Sequence, residues 1–263
     1  MKVLFTALIT LYFFSANAQK QIIFTSKNLP QADTTWVFIP KNLSKKDKAP
    51  TVILLHGWSG NYKQWNSIMD AQKYADDYGY ILVCPDGLYK SWYLNSPAKA
   101  DWQYENFFFN DLLPKIKNDY PVDTANLFIT GLSMGGHGAM WLFLKHPEEF
   151  KSAGSTSGGI NLRDAIGKFG VPELLGNPDK DSDIWLKYSV IQNIDKLVGS
   201  KKEIIFDCGS SDFFYQSNNQ MKKKCDSLKI NATYISQPGN HNSDYWKKSI
   251  KQQFEFFSKQ VSK

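Results

Sequence analysis

Short apolar runs alternate with longer stretches in which apolar residues recur every three or four positions. Eight runs have the length and content of strands: residues 21–25, 34–39, 51–55, 80–84, 127–130, 152–155, 203–207 and 232–236. From the third run onward, helical spacing fills most of the intervals, at 64–78, 104–118, 134–144, 215–228 and 243–261. Strands alternating with helices predict a mostly parallel sheet with helices on both faces. The first two runs have little between them and read as an antiparallel edge. Between residues 158 and 195 the periodicity loosens around Pro172, Gly176 and Pro178, and this segment is expected to form a cap or pocket wall after the sixth strand. Residues 41–50, polar and lysine-rich, read as an exposed loop rather than a domain boundary, and no internal repeat or low-complexity linker interrupts the pattern.

One junction in that pattern carries chemistry. The apolar run Asn126-Leu127-Phe128-Ile129-Thr130 leads into Gly131-Leu132-Ser133-Met134-Gly135, and helical spacing resumes at once in Gly136 to Leu144. This is G-x-S-x-G between a strand and a helix. Such a turn is sharp and needs small residues on both sides of the serine. It holds the hydroxyl clear of the sheet at a helix N-terminus, where backbone N–H groups face a developing oxyanion. Ser133 is therefore the candidate nucleophile.

A serine nucleophile needs a histidine base, and the histidine needs an acid to hold its tautomer. The chain has four histidines. His137 lies one turn along the same helix and should pack along it, and His146 closes that helix. His56 follows the third strand and should hold its loop by side-chain hydrogen bonds. His241, in Pro238-Gly239-Asn240-His241-Asn242 after the last strand, is left as the base; loops at the carboxyl ends of strands face the site in an open α/β sheet. The order Ser…Asp…His asks for an acid after the seventh strand, where Asp207 and Asp212 both stand. Asp207 is still within the strand, whereas Asp212 follows Gly209 on a loop able to reach His241, so Asp212 is preferred; it is also placed to cap the helix beginning near Tyr215. Two backbone N–H groups should complete an oxyanion hole: Met134, after the nucleophile, and Trp58, in His56-Gly57-Trp58-Ser59-Gly60.

The amino terminus changes the picture of compartment. Lys2, an apolar stretch of about a dozen residues and Ala16-Asn17-Ala18 have the form of a secretory signal peptide over residues 1–18. The stretch is too short to span a bilayer, and no cysteine follows the cleavage site to carry a lipid. Residues 19–263 are then expected to form one exported domain, periplasmic or secreted. The formal charge is +6, of which Lys2 carries one. The remaining lysines are scattered and Arg163 is the only arginine, which argues for a solvated surface and against nucleic-acid binding. Three cysteines cannot all pair; Cys208 with Cys225 is the pair to test, although buried free thiols are the expected state. No C-x-x-C or His/Cys cluster suggests a metal, and no cofactor is implied. Oligomeric state is left open.

With these residues in place the chain resembles the putative-esterase family of the α/β-hydrolases, which includes S-formylglutathione hydrolases, tributyrin esterases, feruloyl esterases and the antigen 85 mycolyltransferases. Leu54-Leu55-His56-Gly57 is similar to that family's oxyanion loop, and Ser91-Trp92-Tyr93 with Ser96-Pro97 to its pocket segment. Gly131 to Ala139 is similar to its nucleophile signature. Asp207-Cys208-Gly209 with Asp212-Phe213, and Pro238-Gly239 with His241 and Tyr245-Trp246, resemble its acid and base loops. The resemblance implies the same triad that elimination gives, on an α/β-hydrolase fold with about eight strands. The His-Gly-Trp loop departs from the glutathione-ester hydrolases, and export would separate the protein from cytosolic glutathione.

Tyr89, Trp92, Tyr93, Trp102 and Tyr104 crowd the segment after the fourth strand. Trp92 and Tyr93 are expected to wall the substrate site, since aromatic walls suit a sugar face, a phenolic acyl group or a short acyl chain. Arg163 reads as a surface group, and Phe107-Phe108-Phe109 as a helix face on the sheet. The expectation is a serine carboxylesterase acting on short-chain, acetyl or feruloyl esters, on a small molecule or a plant polysaccharide. An acyltransferase of the antigen 85 type would use the same residues and deliver the acyl group to a sugar hydroxyl. A non-catalytic carbohydrate-binding protein would have lost a triad position, and none is lost.

Overall fold

A computed structural model describes residues 19–44, 46–180 and 182–261; the signal peptide expected over residues 1–18 lies outside the described residues. Eight strands form one sheet in the order β1-β2-β4-β3-β5-β6-β7-β8. They are β1 Gln19–Phe24, β2 Asp33–Phe38, β3 Ala49–Leu55, β4 Ile81–Cys84, β5 Val122–Gly131, β6 Ser152–Thr156, β7 Glu203–Gly209 and β8 Ala232–Gln237. β1 and β2 run antiparallel to their neighbours, and every pairing from β4 through β8 is parallel.

The helices are α1 Gln64–Ile68, α2 Ala71–Tyr78, α3 Tyr104–Phe107, α4 Leu113–Asp119, α5 Met134–Lys145, α6 Val171–Leu175, α7 Ser182–Tyr188, α8 Val190–Asn193, α9 Tyr215–Ser227 and α10 Ser243–Ser258. The helix expected over 64–78 is two helices. Asp70 is extended and its side chain accepts the Lys73 N–H at 2.9 Å, so it caps α2 instead of continuing α1. The helix expected over 104–118 contains a π-turn at Phe108–Leu112 just before Pro114. The loose 158–195 segment folds as α6 to α8, with short 3₁₀ turns before α6 at Leu162–Ala165 and after α8 at Ile194–Leu197.

Strand periodicity sorts the core into two layers. In β3, Ile53 and Leu55 point into a cluster with α3, α4, α5 and the 158–195 segment, while Val52 and Leu54 face α1, α2 and α10. All three cysteines are buried free thiols, so Cys208 and Cys225 are not joined. Among the described residues no helix is long and apolar enough to cross a membrane.

α10 is fastened to the sheet by a buried polar cluster at the end of β7. Asp207, fully buried, accepts hydrogen bonds from Thr156 Oγ1 at 2.6 Å and from Gln253 Nε2 of α10 at 2.7 Å. Ser249 Oγ of α10 lies 2.6 Å from the same threonine hydroxyl. Burial pushes the Asp207 carboxyl up to about 6, with the hydrogen bonds from Thr156 and Gln253 pulling partway back. In an unfolded chain it titrates near 3.8. As pH falls through that window the folded state binds a proton that the unfolded state does not, so acidification favours folding through this group. Asp207→Asn removes the effect. Its stability deficit against the parent, measured by urea denaturation, is expected to be about 2 kcal/mol larger near pH 4.5 than near pH 7. A deficit independent of pH would mean that Asp207 stays ionised.

Candidate active site

Ser133 sits at φ 55° and ψ −116°, between the last residue of β5 and the first of α5. A non-glycine residue there is strained, and the surrounding packing holds it. A methyl group on Gly131 would collide with the backbone of Gly135, and one on Gly135 with the carbonyl oxygens of Leu55 and His56. Strand and helix can approach this closely only because both positions are glycine.

Three loops at the carboxyl ends of the strands meet at this turn. Ser133 Oγ lies 2.9 Å from His241 Nε2, and His241 Nδ1 lies 2.9 Å from Asp212 Oδ2. A carboxylate only accepts, so Nδ1 carries the proton and Nε2 presents its lone pair to the serine hydroxyl. Asp212 Oδ1 accepts the Phe214 N–H at 2.8 Å, which fixes the carboxylate. The acid and base loops are laced together by Ser211 N to Gly239 O, 2.9 Å. Asp207 is turned away into the α10 cluster. Asp212, not Asp207, is therefore the carboxylate that reaches His241.

The loop after β3 approaches the serine from the opposite side. The Gly57 carbonyl accepts bonds from His56 Nδ1 at 2.7 Å and from Gly60 N at 3.0 Å. Because a peptide is planar and trans, fixing that carbonyl also fixes the direction of the Trp58 N–H. Gly57 N donates to Gln64 Oε1 at 2.8 Å. Among the described residues, neither the Trp58 N–H nor the Met134 N–H has an acceptor within the chain. His56 is buried and neutral, its pKa held down to about 4 by burial, with its Nε2 unpartnered.

His137 is likewise buried. Its ring nitrogens face the carbonyls of Tyr188 at 3.0 Å and Trp92 at 3.3 Å, and burial holds its pKa down to about 4. As a neutral imidazole it can donate its one N–H to only one of these carbonyls; it packs between the loop carrying Trp92 and the end of α7 and has no hydrogen bond to Ser133.

A cavity of about 210 Å³ opens over Ser133, lined by Gly57, Trp58, Gln64, Trp92, Leu132, Ser133, Phe169, Phe213, His241 and Trp246. Phe213 lies over the His241 ring with 4.2 Å between centroids, Phe169 stacks on Phe213, and Trp58 meets Phe169 edge to face. Of the expected walls, Trp92 lines the cavity but Tyr93 does not. Tyr93 is fully buried behind it; its hydroxyl donates to the His56 carbonyl at 3.0 Å and its ring fills the space left by Gly138. Tyr89 packs on Trp58 from outside, Trp102 lies under Lys90 and Lys99, and Tyr104 is buried against Tyr93. Arg163 is exposed and no part of the cavity.

Phe213 and Trp246 sit beside residues already singled out, and such neighbours on tight loops are drawn into the site. Phe169 comes from the segment expected to form a wall. Gln64 and Leu132 carried no signal. Among the described residues no His, Cys, Asp and Glu side chains group as a metal site.

The chain is 26% identical over 266 residues to an acetyl esterase of Caldicellulosiruptor saccharolyticus, covering 91% of this chain and 97% of the relative. It is 26% identical to a mouse (Mus musculus) S-formylglutathione hydrolase, over 80% and 82% of the two chains. FphF, a fluorophosphonate-binding serine hydrolase of Staphylococcus aureus, superposes with a TM-score of 0.79 at 19% identity, covering 92% of this chain and 98% of its own, and so shares the fold. That fold is the α/β-hydrolase fold. Residues 26–257 match the family described as putative esterase, and the chain belongs to the putative esterase family.

Proposed function

We propose that this protein is a serine carboxylesterase that works through a Ser133–His241–Asp212 triad and an acyl-enzyme. The observation that carries the reading is the continuous relay of two 2.9 Å contacts from the Ser133 hydroxyl through His241 to Asp212. His241 Nε2 takes the serine proton as Oγ attacks the ester carbonyl. The carbonyl oxygen becomes an oxyanion beside the Trp58 and Met134 N–H groups, and its collapse expels the alcohol, which receives the proton from His241. Water, deprotonated by the same histidine, then releases the acid and restores the serine. Asp212 holds the imidazole and balances its charge in both halves.

The cavity supports a small, uncharged acyl group. Its volume lies below the range usual for drug-sized ligands. None of its lining residues is a lysine or arginine among the described residues, so the two carboxylates of a glutathione ester would find no partner there. Acetyl to butyryl esters, or a flat aromatic acyl group held between Trp92, Phe169 and Phe213, suit these walls. Export through the signal peptide of residues 1–18 would place the activity in the periplasm or medium, where acetylated or feruloylated polysaccharide is available as a substrate. Transfer of the acyl group to a sugar hydroxyl differs only in the second nucleophile, and product analysis with a sugar acceptor separates the two.

Ser133→Ala is expected to lower kcat by about a millionfold with little change in stability, and Asp212→Asn by about ten-thousandfold. A fluorophosphonate should add to Ser133 alone. An adduct elsewhere by mass spectrometry, or near-normal turnover in the alanine variant, would refute the triad.

Across p-nitrophenyl esters, kcat/KM should hold from acetyl to butyryl and then drop. Each methylene that finds no apolar wall forfeits about 0.8 kcal/mol of burial, roughly fourfold. Palmitoyl esters cleaved as efficiently as butyryl esters would point to a lipase instead.

A further inference from the structure

The loop between β4 and α3 holds an unusual backbone. Gly87, Leu88, Trp92 and Tyr93 all have positive φ, at 67°, 54°, 51° and 59°, and three of the four are not glycine. Left-handed non-glycine residues persist only where their surroundings impose them. Much of what holds this loop comes from one buried side chain on the neighbouring strand β2.

Asp33 opens β2 and is fully buried. The antiparallel register of β2 with β4 pairs Trp36 with Cys84, and its extension carries Asp33 opposite Gly87. There the carboxylate accepts four bonds: Gly87 N at 3.0 Å and Tyr104 Oη at 3.2 Å on Oδ2, Thr35 Oγ1 at 3.0 Å and Asp86 N at 3.3 Å on Oδ1. Among the described residues these four donors are its hydrogen-bond partners. Burial first and the neighbouring Asp86 carboxylate second push its carboxyl up to about 7, so above that pH it is an acceptor-only carboxylate. Ser91 Oγ carries the restraint onward, donating to the Gly87 carbonyl and accepting Tyr93 N at 3.0 Å.

The pinned loop then grips the oxyanion loop at both ends. The Tyr93 hydroxyl donates to the His56 carbonyl, just before Gly57, and the Tyr89 carbonyl accepts the Ser59 N–H at 2.9 Å, just after Trp58. The Trp58 N–H lies between these two points. Trp92, on the same loop, bonds through Nε1 to the Phe169 carbonyl at 3.0 Å and so also sets a cavity wall.

We propose that Asp33 is a positioning residue for the oxyanion hole, acting through the loop of residues 86–93 on the direction of the Trp58 N–H. The proposal rests on the triad and oxyanion roles given above. An oxyanion donor that is displaced but not deleted weakens transition-state binding while leaving ground-state binding nearly intact.

Asp33→Asn keeps the shape but turns one accepting atom into a donor that faces N–H and O–H groups. Its kcat for p-nitrophenyl butyrate is expected to fall about 10- to 100-fold with KM within about twofold of the parent. The rate of phosphonylation of Ser133 by a fluorophosphonate should fall by a similar factor, because that reaction also builds charge on an oxygen in the hole. Tyr93→Phe, which removes only the hydroxyl that holds His56, should show the same kcat-weighted loss. In the double variant the two losses should not multiply, since both act through one loop. A folded Asp33→Asn protein with parental kcat, a loss confined to KM, or fully multiplicative losses would overturn the proposal. If Asp33→Asn does not fold, Tyr93→Phe decides alone, and parental kcat in that variant overturns it. Full activity in Ser133→Ala would refute the triad instead, whereas an inactive Ser133→Ala beside a fully active Asp33→Asn refutes only this inference.

Discussion

The seating of α5 against the end of β3 is the contact on which the site depends. Gly135 lies so near the Leu55 and His56 carbonyls that no side chain fits between them, and this proximity brings the nucleophile turn and the oxyanion loop side by side. Backbone strain at Ser133 costs on the order of 1–3 kcal/mol. It is offset by a helix that is buried almost end to end, from Met134 to Leu144. A helix buried all round cannot slide to relieve the turn without opening the core on both sides of it.

Around that fixed point the polar groups are divided by function. Asp212, the carboxylate facing His241, touches the cavity only through the imidazole it holds. Asp207 and Asp33, equally buried, are committed to α10 and to the loop after β4. The histidines divide the same way: His56 and His137 face backbone carbonyls and stay neutral, whereas His241 faces the Ser133 hydroxyl, where the proposed mechanism needs a base. The aromatic ring of Trp58, Phe169, Phe213 and Trp246 limits the water around that exchange, which strengthens each electrostatic contact inside it.

Much of this could be read from the chain before any coordinates. Runs of β-branched and aromatic residues mark the strands, and the glycines around Ser133 mark the turn, because both signals are local. The Ser…Asp…His order also singles out Asp212 and His241 as candidates, since the fold restricts which loops face the site, and their side chains form one hydrogen-bonded chain with Ser133. What stayed hidden depends on side-chain direction. Trp92 and Tyr93 are adjacent with the same aromatic character, yet two successive left-handed residues send one to the cavity and the other behind it. Gln64 enters the site because its side chain, at the start of α1, accepts the Gly57 N–H, and Phe169 because an irregular segment folds back. The bond from Gly87 to Asp33 spans 54 positions, beyond any window of sequence periodicity.

The placement of His241 has a consequence for how the protein comes into being. Nucleophile turn, oxyanion loop and most of the cavity are encoded before α9, but the imidazole belongs to the loop between the last strand and the last helix. Under the proposed triad, a nascent or truncated chain ending before that loop would lack the base for Ser133. On the proposed mechanism chemical competence would thus arrive late in synthesis, together with the helix that packs into the second layer of the core.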